Sequence, residues 1–207
     1  MNIIYIHGLD SDANAIKGRL LEDYCRQNHP DITVLRPDLN KAPGKVFERL
    51  VTLATTLSKE DKTVLVGSSL GGYFATLVSN HTGLPALLLN PSIQPHVTLQ
   101  RFALNKNVKD NSSPNQIIHS TTGGWNMTHA DLQWFESHQI SSVTYPNKIA
   151  VLIKEGDELL NPKLSEQFYK DKGTMVTIQS GGDHRFSDFD AQLPIIMDTI
   201  ALLSKIL

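Results

Sequence analysis

The sequence has no marked excess of either charge and almost no cysteine. Its 19 lysine and arginine residues nearly balance 21 aspartate and glutamate residues, and the formal net charge is −2. Because this net charge is small and negative, it creates no electrostatic potential that would attract nucleic acid or an anionic membrane. We therefore expect neither partner and favour a small molecule. The single cysteine, Cys25, cannot form an internal disulfide, which fits a reducing compartment.

Long apolar runs, repeats and low-complexity tracts are also missing. The chain opens on the strand-like segment 2–6, with no basic leader and no small-residue cleavage site, so we expect a cytoplasmic protein without a membrane anchor. A chain of 207 residues is long enough for one well-buried core and short for two. We therefore predict a single domain over residues 1–207, as a monomer or a small homo-oligomer.

Short apolar runs alternate with segments of helical periodicity along most of the chain. Because the runs show little period-2 alternation, they are typical of parallel strands covered on both faces, which predicts an α/β fold with three layers, helix, sheet and helix. Asp12 is the expected N-cap of the first helix. The predicted strands are 2–6, 32–35, 63–66, 86–89, 148–153 and 175–178, and the predicted helices are about 13–28, 43 onward, 70–82, 162–169 and about 192–206.

The alternation is interrupted between about residues 92 and 147. Asn and Ser are frequent there, and the sequence gives no clear strand. Thr128 and Asp131 form a capping-box pattern that predicts one short helix. We expect a partly helical, cap-like insertion over one end of the sheet, in which Trp125, Trp134 and Phe102 either line a substrate pocket or simply pack.

A Gly-x-Ser-x-Gly pattern, formed by Gly67, Ser69 and Gly71, lies where a β-branched run changes to helical spacing. This context predicts a strand, a very sharp turn and a helix. Ser69 is then expected at the apex, in a strained conformation that exposes its hydroxyl, and the glycines let strand and helix pass closely. A phosphate-binding turn, or a plain Gly-rich connection, is the alternative interpretation.

Two other predicted turns carry the residues that would activate a serine. The turns after parallel strands gather at one end of the sheet, and Ser69, Asp157 and His184 follow the third, fifth and sixth strands. Histidine takes a hydroxyl proton at neutral pH, and a carboxylate holds the imidazole in the required tautomer. An ordinary surface histidine is the alternative for His184, and the competitors for the acid are Glu155, Glu158 and Asp183.

Acyl transfer also requires donors for the negatively charged oxygen of the intermediate. The backbone N–H of Leu70, directly after the serine, is one candidate, and the N–H of Leu9, in the turn after the first strand, is the other. Gly8 would let that turn come close to the serine. We expect His7 to brace the turn from a buried position.

Four segments, 4–9, 67–72, 89–91 and 181–184, together resemble those of small α/β-hydrolases, and within them the chain is similar to the YqiA/YcfP-like bacterial esterases. The resemblance implies a minimal fold of about six mostly parallel strands in the order 2-1-3-4-5-6. It also implies hydrolysis of small carboxylic esters in a bacterial cytoplasm, without cofactor or metal, by a triad of Ser69, Asp157 and His184.

Two other functions remain open from the sequence. A thioesterase or an amidase would use the same three side chains, so nothing in the triad separates these substrates from esters. A non-catalytic protein that binds a small molecule on the same fold is the alternative from another class. A nucleotide-binding P-loop is excluded, because the Gly-Lys-Ser/Thr ending of that motif is missing.

Overall fold

A six-stranded sheet is the centre of the computed structural model, which describes residues 1–104 and 113–206. The strands of the described chain are β1 (Asn2–Ile6), β2 (Thr33–Leu35), β3 (Thr63–Ser68), β4 (Ala86–Leu89), β5 (Ile117–Ser120), β6 (Asn126–Thr128), β7 (Ile149–Lys154) and β8 (Met175–Gln179). The sheet has the order β2-β1-β3-β4-β7-β8, and every neighbouring pair is parallel. The predicted sheet and its strand order are therefore confirmed.

Helices cover both faces of this sheet. They are α1 (Ile16–Asn28), α2 (Pro43–Glu60), α3 (Leu70–Thr82), α4 (Pro95–Thr98), α5 (Gln100–Leu104), α6 (His129–Ser137), α7 (Pro162–Asp171) and α8 (Phe189–Leu203). Alternate side chains of β1 enter two cores: Ile4 and Ile6 pack with residues of α2 and α3, whereas Ile3 and Tyr5 pack with residues of α1 and α8. The predicted three-layer arrangement is confirmed.

Two helix boundaries differ from the prediction. The first helix begins at Ile16, and Asp12 does not cap it, because the Asp12 carboxylate accepts the N–H of Asn14 inside the preceding turn. The last helix begins at Phe189 and includes Pro194. Burial of Phe189 and the apolar residues that follow it at helical spacing holds this extra turn against the sheet.

The insertion after β4 contains strands that the sequence did not indicate. Two short strands, β5 and β6, form an antiparallel hairpin in which Ser120 pairs with Asn126. The expectation of no strand is wrong for this part, because strands of only three and four residues are too short to show a readable alternation. Residues 105–112, to which the same expectation applies, lie outside the described residues. The Thr128 and Asp131 capping box at the start of α6 is confirmed.

Within residues 1–104 and 113–206, no helix has the length and apolar character needed to cross a membrane. The insertion packs on the helical layer formed by α2 and α3. The ring centroid of Phe135 lies 5.5 Å from that of Tyr73 and 6.1 Å from that of Phe74. This contact fixes the insertion beside the N-terminal end of α3.

Candidate active site

Ser69 occupies the turn between β3 and α3 in a left-handed backbone conformation, with φ 56° and ψ −119°. A residue other than glycine rarely adopts this backbone conformation unless surrounding contacts stabilise it. The support consists of hydrogen bonds, since the Ser69 N–H donates to Leu89 O at 3.0 Å and its carbonyl accepts from the N–H groups of Gly72 and Ser92. The serine is therefore held at the apex of the turn.

The two glycines of the motif lie where α3 comes closest to the sheet. A Cβ on Gly67 would lie 2.4 Å from the carbonyl oxygen of Gly71, and a Cβ on Gly71 would lie 2.0 Å from the carbonyl oxygen of Ile6. Both obstacles are backbone atoms, which cannot rotate away as a side chain would. The close approach of strand and helix thus requires glycine at both positions.

Ser69, His184 and Asp157 form one chain of hydrogen bonds across three turns. Ser69 Oγ lies 2.9 Å from His184 Nε2, and His184 Nδ1 lies 2.8 Å from Asp157 Oδ2. The Asp157 side chain is 2% exposed and that of His184 is 11% exposed. Since the carboxylate only accepts, Nδ1 carries the proton, and the unprotonated Nε2 accepts from the serine hydroxyl.

The other carboxylates near His184 make different contacts. The second oxygen of Asp157 accepts the N–H groups of Leu159 and Leu160, which fixes the orientation of its carboxylate. Among the described residues, Asp157 is the carboxylate that reaches the imidazole; Glu155 binds Ser180 Oγ, Asp183 binds the Ser187 N–H, and Glu158 binds the backbone of His184.

The turn after β1 passes directly beside the serine. A Cβ on Gly8 would lie 3.1 Å from Ser68 O and 3.2 Å from Ser69 Cβ. In the described part of the chain, the N–H groups of Leu9 and Leu70 have no hydrogen-bond partner. Leu70 is the first residue of α3, where helix geometry leaves N–H groups unpaired. Leu70 directly follows Ser69, and Leu9 directly follows the glycine that lies against it, so both N–H groups belong to residues close to the serine.

His7 connects this turn to the segment after β2. Its Nδ1 donates to Gly8 O at 2.9 Å, and its Nε2 accepts the N–H of Leu39 at 3.0 Å. Because Nε2 is the acceptor, the Asp38 carboxylate 3.7 Å away faces a neutral ring. Burial lowers the pKa of His7, which opposes protonation further. The imidazole is placed as a brace, as expected for this residue.

A small cavity is lined by Leu9 and Leu70, the two residues that carry these N–H groups, among others. Its volume is about 20 Å³, close to the space of one water molecule, and its apolar walls include Leu39, Val46, Phe74 and Trp125. Trp134 and Phe102, the other two aromatic residues of the insertion that the sequence offers for a pocket, do not line this cavity: Trp134 stacks on His138, and Phe102 stacks on His119. In the described ranges, no group of three or more potential ligands is arranged to hold a metal ion.

Two residues contact the backbone of His184 in a way that the sequence did not indicate. Glu158 Oε2 accepts the His184 N–H at 2.9 Å, and Asn90 Nδ2 lies 3.2 Å from the His184 carbonyl oxygen. From the sequence, Glu158 is one of the competitors for the acid, and Asn90 belongs to one of the segments that resemble small α/β-hydrolases. The sequence signal for Asn90 is its position, because it is a polar residue directly after the fully apolar strand β4.

Comparisons with known proteins agree with this architecture. A model of the uncharacterised protein family UPF0227 matches residues 2–201. Est1E from Butyrivibrio proteoclasticus is 15% identical with a TM-score of 0.71, covering 97% of this chain and 88% of its own. The esterase domain of a Rhodothermus marinus protein is 16% identical with a TM-score of 0.65, covering 97% and 85%. A monoacylglycerol lipase from Paleococcus ferrophilus is 14% identical with a TM-score of 0.63, covering 99% and 94%.

The burial of His7 predicts a pH dependence of stability. A histidine whose pKa is lowered in the folded state binds protons less readily than in the unfolded state, so folding stability falls as pH drops below about 6.5. His7→Gln retains an acceptor for the Leu39 N–H but does not titrate. The free energy of unfolding is measured in urea at about pH 7 and about pH 5. We expect it to fall less between these two pH values in His7→Gln than in the wild type. An equal fall in both proteins would contradict a neutral, buried His7.

Proposed function

The chain belongs to the uncharacterised protein family UPF0227, and we propose that it is a serine hydrolase that cleaves small carboxylic esters through an acyl-enzyme on Ser69. One observation carries the proposal: an unbroken chain of hydrogen bonds runs from Ser69 Oγ through His184 to Asp157 at the carboxyl ends of parallel strands. The fold supports it, because proteins of this architecture include the named esterases and the lipase described above.

In the first step, Ser69 Oγ attacks the ester carbonyl carbon while His184 Nε2 removes the hydroxyl proton. The 2.9 Å separation of these atoms is within the range needed for that transfer. As the imidazole becomes positively charged, the buried Asp157 carboxylate stabilises it and keeps the Nδ1 proton in place. His184 then gives its proton to the leaving alcohol, and the acyl group remains on Ser69.

The N–H groups of Leu70 and Leu9 would hold the oxygen that becomes negative during this attack. Neither group has another hydrogen-bond partner in the described residues, so neither must break a bond to bind the oxyanion. Leu70 adds the favourable field at the N-terminus of α3. In the second half of the reaction, His184 removes a proton from water, which attacks the acyl carbon. His184 then returns that proton to Ser69 Oγ as the bond between Oγ and the acyl carbon breaks and the carboxylic acid leaves.

The nucleophile is tested with a fluorophosphonate probe followed by peptide mass spectrometry. We expect an adduct on Ser69 in the folded wild type, and none on Ser69→Ala, whose melting temperature should be nearly unchanged. Ser68→Ala is the matched control and should still be labelled. A wild type that is not labelled would instead favour the non-catalytic binding protein, and labelling of Ser69→Ala would identify another nucleophile.

The acid is tested by Asp157→Asn. The amide cannot hold the same imidazole tautomer, so we expect kcat to fall by about 10³ to 10⁴-fold with a p-nitrophenyl ester. Glu155→Asn is the control from the same turn, since the Glu155 carboxylate binds Ser180 rather than the imidazole. The assignment of the acid is wrong if the Asp157 change is nearly silent.

The size of the acyl group is tested with p-nitrophenyl esters of increasing length. The cavity lined by Leu9 and Leu70 is small, about 20 Å³, so we expect kcat/KM to be highest for acetate and to fall as the acyl chain lengthens. Trp125→Ala, which removes one wall, should raise the relative rate for longer chains, whereas Trp134→Ala should not. Far-UV circular dichroism would confirm that both variants are folded. A wild type that prefers long acyl chains would contradict this proposal.

A further inference from the structure

The loop that carries His184 has little regular structure to hold it. Between the end of β8 and the start of α8, Gly181 and Gly182 adopt left-handed conformations, with φ 70° and 71°. His184 lies two residues after this pair of glycines. The position of its imidazole therefore depends on contacts that the loop makes with neighbouring strand ends.

Two side chains hold the backbone of His184 from opposite sides. The exposed Glu158 accepts its N–H at 2.9 Å, and the buried Asn90 donates to its carbonyl at 3.2 Å and to that of Asp183 at 3.0 Å. Neither contact involves the imidazole ring. The main chain on both sides of the histidine Cα is thus tied to the rest of the protein.

Asn90 also connects the loop to the strand that leads to Asp157. Its Oδ1 accepts the N–H of Lys154, the last residue of β7, at 2.8 Å, and its own N–H donates to Leu152 O at 3.0 Å. The Asn90 amide therefore bridges the end of β7 and the histidine loop, which are also joined by the Gly156 N–H donating to Gly181 O at 3.0 Å. Asparagine suits the position, since it tolerates the observed φ of 41° and carries both donor and acceptor.

We propose that Glu158 and Asn90 are positioning residues, which fix the backbone of His184 so that its ring lies in line with both Ser69 and Asp157. This inference rests on the proposed function, because it assigns these residues a part in the same reaction. Each ring nitrogen must keep a short hydrogen bond while Ser69 attacks. A displacement of about 1 Å in such a constellation costs about 10²-fold in rate.

Glu158 gives the sharper test, because its side chain is exposed and its replacement should not unfold the protein. We expect Glu158→Ala to lower kcat for a p-nitrophenyl ester about tenfold with little change in KM. Glu158→Gln, which retains an oxygen acceptor for the His184 N–H, should restore most of that loss. Glu155→Ala is the matched control, an exposed carboxylate of the same turn whose partner is Ser180.

Asn90→Asp replaces the amide donor with a carboxylate oxygen that would face two carbonyl groups. We expect a larger fall in kcat than for Glu158→Ala, again with little change in KM, at a temperature where circular dichroism shows the variant to be folded. If it does not fold, the Glu158 variants decide the question alone. The pH dependence of kcat is recorded for every folded variant, since loss of position should leave its midpoint unchanged.

Wild-type labelling by the fluorophosphonate probe separates this inference from the proposed function. If the wild type is not labelled, the proposed function fails. If it is labelled and Glu158→Ala matches Glu155→Ala in kcat, the positioning role is overturned. Positioning is overturned also if Glu158→Gln is as slow as Glu158→Ala and the midpoint of its pH profile shifts, because the charge of Glu158 would then be what matters.

Discussion

The contact between the N-terminus of α3 and the ends of β1 and β3 is the constraint on which the site depends. A Cβ on Gly67 or Gly71 would meet backbone atoms there, and Ser69, which lies between the two glycines, adopts its left-handed conformation at this contact. The same contact brings Gly8 against Ser69. Ser69 therefore lies where α3, β3 and the turn after β1 meet. Leu9 and Leu70, whose N–H groups have no hydrogen-bond partner among the described residues, belong to the same junction.

Two buried histidines have opposite tasks in this arrangement. Both ring nitrogens of His7 are hydrogen-bonded to backbone groups, so His7 holds the turn after β1 and has no ring nitrogen available for proton transfer. His184 gives its ring to two side chains, Asp157 and Ser69, and leaves its backbone to be held by Glu158 and Asn90. His7 therefore holds the backbone of the turn after β1, whereas the ring of His184 is bonded to the two side chains between which the proposed mechanism moves a proton.

Much of this could be predicted from the sequence, because the informative signals are local. The apolar runs identify the strands, and Gly67, Ser69 and Gly71 identify the turn. Other features depend on tertiary contacts: α8 begins earlier because Phe189 is buried, and the hairpin of β5 and β6 has no period of its own. The contacts of Asn90 join segments more than 60 residues apart, which no local pattern records.

The central claim is that Ser69 carries the acyl group during turnover. Rapid acid quenching of the wild type in the first turnover of p-nitrophenyl butyrate, followed by peptide mass spectrometry, measures this directly. We expect a butyryl group on the peptide that contains Ser69, and none when His184 is replaced by alanine. Release of p-nitrophenol in that first turnover without any acylated Ser69 peptide would contradict it.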